Sequence, residues 1–228
     1  MKNFVKSWFA RRGALPLTCY LLALVLWLAQ GALHWGGDAL ARRAGALYEA
    51  EIPLSDWQLA GLTQTAATPE TAVLEDSVTL TTTDGDPQMI LEDVSDMTVR
   101  TLSYTVQFDG DAREMCLYYT TKVGEPYSQD RRVFPQALGG GRYLYTLPRT
   151  TIVALRLDPC SPDANKTVGL TFRPGAITLN GADTLPAAWE YFVPSWYQAF
   201  CLVLYPALAA AALSWLRACV GALRRRGR

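Results

Sequence analysis

The stretch Tyr191 to Leu216, YFVPSWYQAFCLVLYPALAAAALSWL, contains no Asp, Glu, Lys, Arg or His, and Arg217 and the terminal RRRGR follow it. A bilayer core is crossed by about 20 consecutive apolar residues in helical form, so this stretch is long enough to span one. A first uncharged run, Gly13 to Gly37, sits near the N-terminus behind the basic head MKNFVKSWFARR. Whatever lies between two such runs is constrained to be a domain looped out on one side of a membrane.

The charge map supports this division. The chain is formally neutral, but all 21 acidic residues fall between Asp38 and Glu190, where 12 basic residues leave a net charge of −9. Four basic residues precede the first run and five follow the second, with no acid at either end. Positive flanks face the cytoplasm, so both termini are expected there, with the middle domain extracytoplasmic and the protein in the plasma membrane. Arg42 and Arg43 weakly oppose that trend. Trp8, Trp35, Trp189, Tyr191, Trp196, Tyr197 and Trp215 cluster near the expected interfaces, as amphipathic rings do. An acidic domain repels phosphate backbones, which argues against a nucleic-acid partner. The first run is longer than a secretory signal core of about 7–15 residues, so an uncleaved anchor is expected, with Asp38-Ala39-Leu40-Ala41 as the alternative cleavage point. Pro206 is expected to kink the second helix, and Ala207 to Ala212 is either a close-packing face or a lipid-facing one.

The sequence divides into a cytoplasmic tail (1–12), a first span (13–37), a partly helical connector (38–53), a β-rich domain (54–186), a second span (191–216) and a basic tail (217–228). In the middle domain, short runs of Val, Ile, Leu, Thr and Tyr alternate with Gly, Pro, Asp and Asn turns, the spacing of an all-β sandwich. Strands are expected at Asp56–Gly61, Ser77–Thr82, Met89–Leu91, Thr98–Phe108, Glu114–Thr121, Arg142–Leu147, Ile152–Leu157, Thr167–Phe172 and Ala176–Asn180. In TVRTLSYTVQF the apolar residues nearly alternate, which predicts one buried and one wet face. Asp84-Gly85-Asp86, Asp109-Gly110-Asp111 and Gly139-Gly140-Gly141 read as turns or loop tips.

Chemistry is sparse. His34 is the only histidine and lies at a membrane boundary, so a histidine-based catalytic set or metal site in the middle domain is not expected. The acidic clusters at 84–86, 92–96 and 109–111 do not match a calcium-loop pattern and read as solvated turns. No cofactor motif is present: there is no CxxC, glycine-rich phosphate loop or HExxH. Cys19, Cys201 and Cys219 belong to the apolar runs. Cys116 and Cys160 in the domain either pair or remain thiols. Asn165-Lys166-Thr167 fits a glycosylation sequon. Tyr118, Tyr119, Tyr127, Tyr143 and Tyr145 are the candidate ligand residues, as a platform on which pyranose rings stack. The competing reading makes them ordinary core and cross-strand aromatics.

The stretches TTTDGDPQMIL, MCLYYTT and YLYTLPRTTIVALRLDPCSPDANKTVGLTFRPGAITLN resemble an extracytoplasmic module of bacterial membrane proteins, a galactose-binding-like, carbohydrate-binding-type jelly roll that accompanies cell-surface polysaccharide or glycolipid synthesis. Asp86-Pro87-Gln88, Arg156-Leu157-Asp158-Pro159 and Ile177-Thr178-Leu179 carry the resemblance, which covers about Trp57 to Asn180. Asp158 is expected to cap a turn that Pro159 stiffens. Relatives of this kind continue into many spans and a transferase or flippase-like part. This sequence has one further span and no acids in its tails, so sugar transfer is not expected.

The fold class is therefore an all-β, jelly-roll-like sandwich ectodomain inserted between two transmembrane α-helices. The resemblance implies a non-catalytic, membrane-anchored accessory protein that recognises cell-envelope glycan or glycolipid, or docks on a polytopic membrane protein of polysaccharide assembly. The alternative is a structural or assembly subunit that binds protein only. The expected partners are the lipid bilayer with glycan, glycolipid or a polytopic membrane protein, and no cofactor.

Overall fold

A computed structural model describes residues 13–65, 77–163 and 166–226. The N-terminal tail with Trp8, the sequon residue Asn165 and residues 227–228 lie outside the described residues. The chain divides into two compact units, one made from its two ends (Met1–Ala39 and Pro186–Arg228) and one from Leu40–Leu185.

The end unit is a helix pair, α1 (Ala14–Arg43) and α2 (Trp196–Arg226), both long and apolar enough to cross a membrane. Their Leu, Val, Phe and Trp side chains are largely exposed. The contacts between them are specific. The Tyr20 hydroxyl donates to the Val203 carbonyl (3.0 Å) and the Trp27 Nε1–H to the Phe192 carbonyl (3.2 Å). Gly31 faces Phe192 so closely that a Cβ would lie 2.7 Å from its ring. The connector from Asp38 was expected to be partly helical, and α1 runs on through Asp38 to Arg43. Asp38 is buried and accepts a hydrogen bond from the Tyr191 hydroxyl (2.8 Å). Pro206 sits inside α2 without ending it.

The middle unit is an antiparallel sandwich. Its strands are β1 (Ala50–Pro53), β2 (Gln58–Ala60), β3 (Leu62–Gln64), β4 (Val78–Thr82), β5 (Gln88–Leu91), β6 (Thr101–Phe108) and β7 (Cys116–Thr120). They continue with β8 (Arg132–Val133), β9 (Gln136–Gly139), β10 (Arg142–Thr146), β11 (Ala154–Asp158), β12 (Gly169–Phe172) and β13 (Ala176–Leu179). One sheet has the order β1-β13-β6-β12-β4-β3, with β10 also on β6 and β9 on β10; the other is β2-β5-β11-β7-β8. From β4 to β7 successive strands alternate between the sheets.

Strand β6 is the longest and organises the larger sheet: β10 pairs along one edge, and β13 and β12 share the other. Leu102, Tyr104 and Val106 turn inward, as the alternation predicts. They meet Met89, Leu117, Leu155 and Leu157 of the second sheet in one buried cluster. Two phenols satisfy each other inside it, the Tyr104 and Tyr145 hydroxyls lying 3.1 Å apart. Burial pushes both phenols above their ordinary range, so both stay neutral.

Asn180 closes the sandwich. It is fully buried, with a left-handed φ of 54° that asparagine tolerates. Its Oδ1 accepts from the backbone N–H of Arg100 (2.7 Å) and of Thr101 (3.4 Å), and its Nδ2 donates to the carbonyls of Tyr48 (3.1 Å) and Thr98 (2.8 Å). Strand β6 therefore begins at Thr101 rather than at the expected Thr98, because this side chain takes the hydrogen bonds of the preceding residues. The sequence reading also placed Ala50–Pro53 in the connector. It is an edge strand paired with β13, and edge position is where a strand tolerates proline. Gly141, in the expected glycine tip, is needed for close approach: a Cβ there would lie 2.6 Å from the Val106 carbonyl oxygen.

Asn180→Ala leaves partly buried backbone groups at Thr98, Arg100 and Tyr48 without this partner, and is expected to cost about 3 kcal/mol. Urea unfolding of the full chain in detergent micelles, followed by tryptophan fluorescence, measures this; an unchanged midpoint contradicts the clamp.

Candidate functional site

Directly paired residues of antiparallel strands share a face. Register on the five-stranded sheet therefore lines up Gln58, Ile90, Arg156, Tyr118 and Arg132 in one row. Their strand neighbours Met89, Leu117, Leu155 and Leu157 fill the core, so this row forms the outer face.

The row is built around Arg156. Its Nε and Nη2 donate to the two carboxylate oxygens of Asp158, both at 2.7 Å, a bidentate fork. Nη2 also reaches Asp86 Oδ1 at 3.4 Å, and the Gln88 amide donates to Asp86 Oδ2 at 2.7 Å. The guanidinium lies 5.0 Å from the centre of the Tyr118 ring, and the Gln129 amide donates to the Tyr118 hydroxyl (3.1 Å). Asp158 was expected to cap a turn. It instead ends β11 two residues after Arg156, and a spacing of two on a strand puts both on one face. Burial raises the pKa of Asp158 and outweighs the opposing pull of Arg156. Along the row, Arg132 pairs with Glu114 (2.9 Å) and sits 4.6 Å from the centre of the exposed Phe134 ring.

Ile90 also lines a cup of about 500 Å³, whose walls include Tyr127, Glu92, Thr120, Lys122 and Glu125. The loop that forms one wall is held by Glu125. Its carboxylate accepts from the backbone N–H (3.0 Å) and hydroxyl (3.2 Å) of Thr121 and pairs with Arg131. Those bonds, that to Arg131 first, hold the Glu125 carboxyl down at about 2.

Of the five tyrosines singled out in the sequence, the structure brings two to this face: Tyr118 in the row and Tyr127 in the cup. The other three do not join them. Tyr143 and Tyr145 are two apart on β10 and both point inward. Tyr145 is fully buried, and Tyr143 packs against Tyr104 and Phe108 with ring centres 5.9 and 6.3 Å away. Tyr119 faces inward beside Leu155 and is half-buried. A single five-tyrosine platform is therefore corrected to one Tyr118–Tyr127 face, because strand alternation sends neighbouring tyrosines to opposite sides. Arg156, Gln88, Gln129 and Arg132 were not foreseen as site residues. The R-x-D spacing in a strand was the available signal.

Cys116 and Cys160 are buried free thiols. Desolvation, joined at Cys116 by the nearby Asp158 charge, pushes them up to about 11 and about 12, the reverse of what a nucleophile needs.

No family model matches the chain, and no curated protein matches it. Among solved structures, the chain is similar to a low-affinity xylan-binding module from Roseburia intestinalis (11% identity, 58% of this chain and 94% of that one, TM-score 0.35). It is similar to a family 32 carbohydrate-binding module from C. perfringens NanJ, solved with galactose (8%, 58% and 98%, TM-score 0.37). It is also similar to the K1 cleaved adhesin domain of Lys-gingipain from Porphyromonas gingivalis (11%, 58% and 97%, TM-score 0.35). All three TM-scores lie below 0.5, so the site is argued from this chain's own residues.

The Glu125 carboxyl lies below its ordinary value of 4.5 in the folded state, so the loop's support is complete above that value and is lost as pH falls from about 4.5 through about 2. Tyrosine fluorescence or amide exchange of loop 121–131 is expected to report loosening over that window. Glu125→Gln, which cannot titrate, is expected to remove that pH dependence, and persistence of the same transition in the variant contradicts the assignment.

Proposed function

We propose that this protein is a membrane-anchored, non-catalytic glycan-binding accessory, with its ligand on the outer face of the five-stranded sheet. The observation that carries the reading is the row Gln58–Ile90–Arg156–Tyr118–Arg132 running into the cup lined by Tyr127. It sets amides, carboxylates and guanidiniums beside apolar and aromatic surface, the mix that a sugar's hydroxyl edge and C–H face require. Tyr127 supplies the stacking ring. Tyr118 is covered by Arg156 and Gln129 and acts through its hydroxyl. Gln88, Asp86 and Asp158 offer acceptors and donors to ring hydroxyls. The raised thiols and the ion-paired Asp158 favour binding over catalysis, since no activated nucleophile lies on this face among the described residues.

Anchoring is argued from α1 and α2, whose exposed apolar side chains need lipid, and from the basic flanks, which set both termini in the cytoplasm. The pairing of β1 with β13 brings the domain's two chain ends together, as a domain looped out between two spans requires. A cell-envelope glycan or glycolipid is the ligand class this placement favours.

Two measurements test the proposal. A glycan array probed with the full chain, in a detergent without a sugar headgroup, is expected to show saturable binding that Tyr127→Ala weakens about tenfold, the equivalent of 1.4 kcal/mol. Tyr143→Phe is expected to leave it unchanged. Binding to no glycan by a folded protein, or equal binding by Tyr127→Ala, defeats the reading. For topology, Glu92→Cys in a background lacking the native cysteines is expected to react with a membrane-impermeant maleimide on intact cells; protection until lysis places the domain on the wrong side.

A further inference from the structure

The sandwich has another pocket, of about 590 Å³, between the loop that leads into β6 and the loop that joins β10 to β11. We infer that it is a phosphate-binding site. Its lining brings together the guanidinium residues Arg100 and Arg149 and four hydroxyl residues, Ser95, Thr98, Thr150 and Thr151. Asp96 is the one carboxylate among the lining residues. Two guanidiniums against one carboxylate make this a locally basic spot, in a segment (Asp38 to Glu190) whose net charge is −9. Guanidinium forks match the geometry of phosphate oxygens bidentately, and the Thr98, Thr150 and Thr151 hydroxyls are left to donate to the oxygens that remain, the Ser95 hydroxyl being given to Asp93 Oδ1 (2.6 Å).

The walls are fixed by backbone bonds rather than left as free loops. The Arg100 N–H is held by Asn180 (2.7 Å), and the Arg100 carbonyl accepts from Leu147 N–H (2.9 Å), which sets the spacing of the two loops. Val94 N–H donates to the Val153 carbonyl (2.8 Å) and Met97 N–H to the Val94 carbonyl (3.2 Å). Met97 and Ile152 are buried beneath the polar rim. A preformed, basic, hydroxyl-lined pocket binds an anion with little ordering cost. Ala46 also lines it and accepts from Thr98 N–H (2.7 Å), only three residues after Arg43 ends α1. The phosphate is therefore supplied either by a lipid headgroup or by a soluble phosphate ester. Ser95 lines both this pocket and the Tyr127 cup, but Arg100 and Arg149 line only this one and Tyr127 only the cup, so the variants that test the two proposals are distinct and the proposals fail separately.

The test uses the full chain in nonionic detergent micelles, titrated calorimetrically with inorganic pyrophosphate. In a second arm the full chain is placed in nanodiscs of phosphatidylcholine with or without phosphatidylglycerol, and native mass spectrometry reads the retained lipid. Arg149 is exposed, so Arg149→Gln is expected to fold normally. Saturable pyrophosphate binding that weakens about tenfold or more in Arg149→Gln, and is partly restored in Arg149→Lys, supports a soluble phosphate ligand. Selective retention of phosphatidylglycerol by the unaltered chain, lost in Arg149→Gln, supports a lipid headgroup. Neither ligand bound, or binding unaltered in both Arg149→Gln and Arg100→Gln, overturns the inference.

Discussion

The amide of Asn180 spans the three segments that must meet for the sandwich to close: the chain arriving at β1, the start of β6 and the end of β13. A buried amide with both its donor and acceptor atoms engaged is costly to misplace, because its own polar atoms would be left without partners away from water. It therefore fixes where β6 begins, and β6 in turn holds β10, β12 and β13. The larger sheet supplies half of the core against which the smaller sheet is laid. The glycan face is thus a distant consequence of one side chain: the register of β11 against β7 and β5 has meaning only once their inner residues have a core to fill.

Much of this was legible in the sequence, for a physical reason. Alternation over TVRTLSYTVQF put Leu102, Tyr104 and Val106 in the core as expected, but the opposite face is wet only towards Gln107, because Thr101 and Ser103 are buried too. Nine stretches were expected as strands, and each of them overlaps one. Ala50–Pro53 escaped because a four-residue edge strand with Glu51 and Pro53 carries no apolar period, and its pairing with β13 is set by a residue far along the chain. The extension of the first helix into the connector was legible from the helical spacing of alanines and charges after Asp38, and α1 ends at Arg43; what the sequence did not show is that Asp38 takes a tyrosine hydroxyl as partner.

The site was less legible than the fold. Tyr118 and Tyr119 are adjacent letters on opposite faces, and tyrosine composition alone cannot say which face is wet. Tyr143 and Tyr145 share a face, but only the position of β10 against β6 shows that the face is the core. Arg156 and Asp158 were read as a turn motif. Their two-residue spacing on a strand makes them an ion pair at the centre of the outer face instead. The rule that a strand sends alternate residues to opposite sides decided each of these cases once the strand's neighbours were known.

The central claim is that ligand meets the outer face of the five-stranded sheet. The most direct measurement is an NMR titration of the full chain, tyrosine rings selectively labelled, with a glycan that it retains on an array. The account predicts saturable shifts at Tyr127 and Tyr118, with Tyr143 and Tyr145 unmoved. Shifts confined to the eight-stranded sheet, or none at Tyr127 while ligand is demonstrably bound, would contradict it.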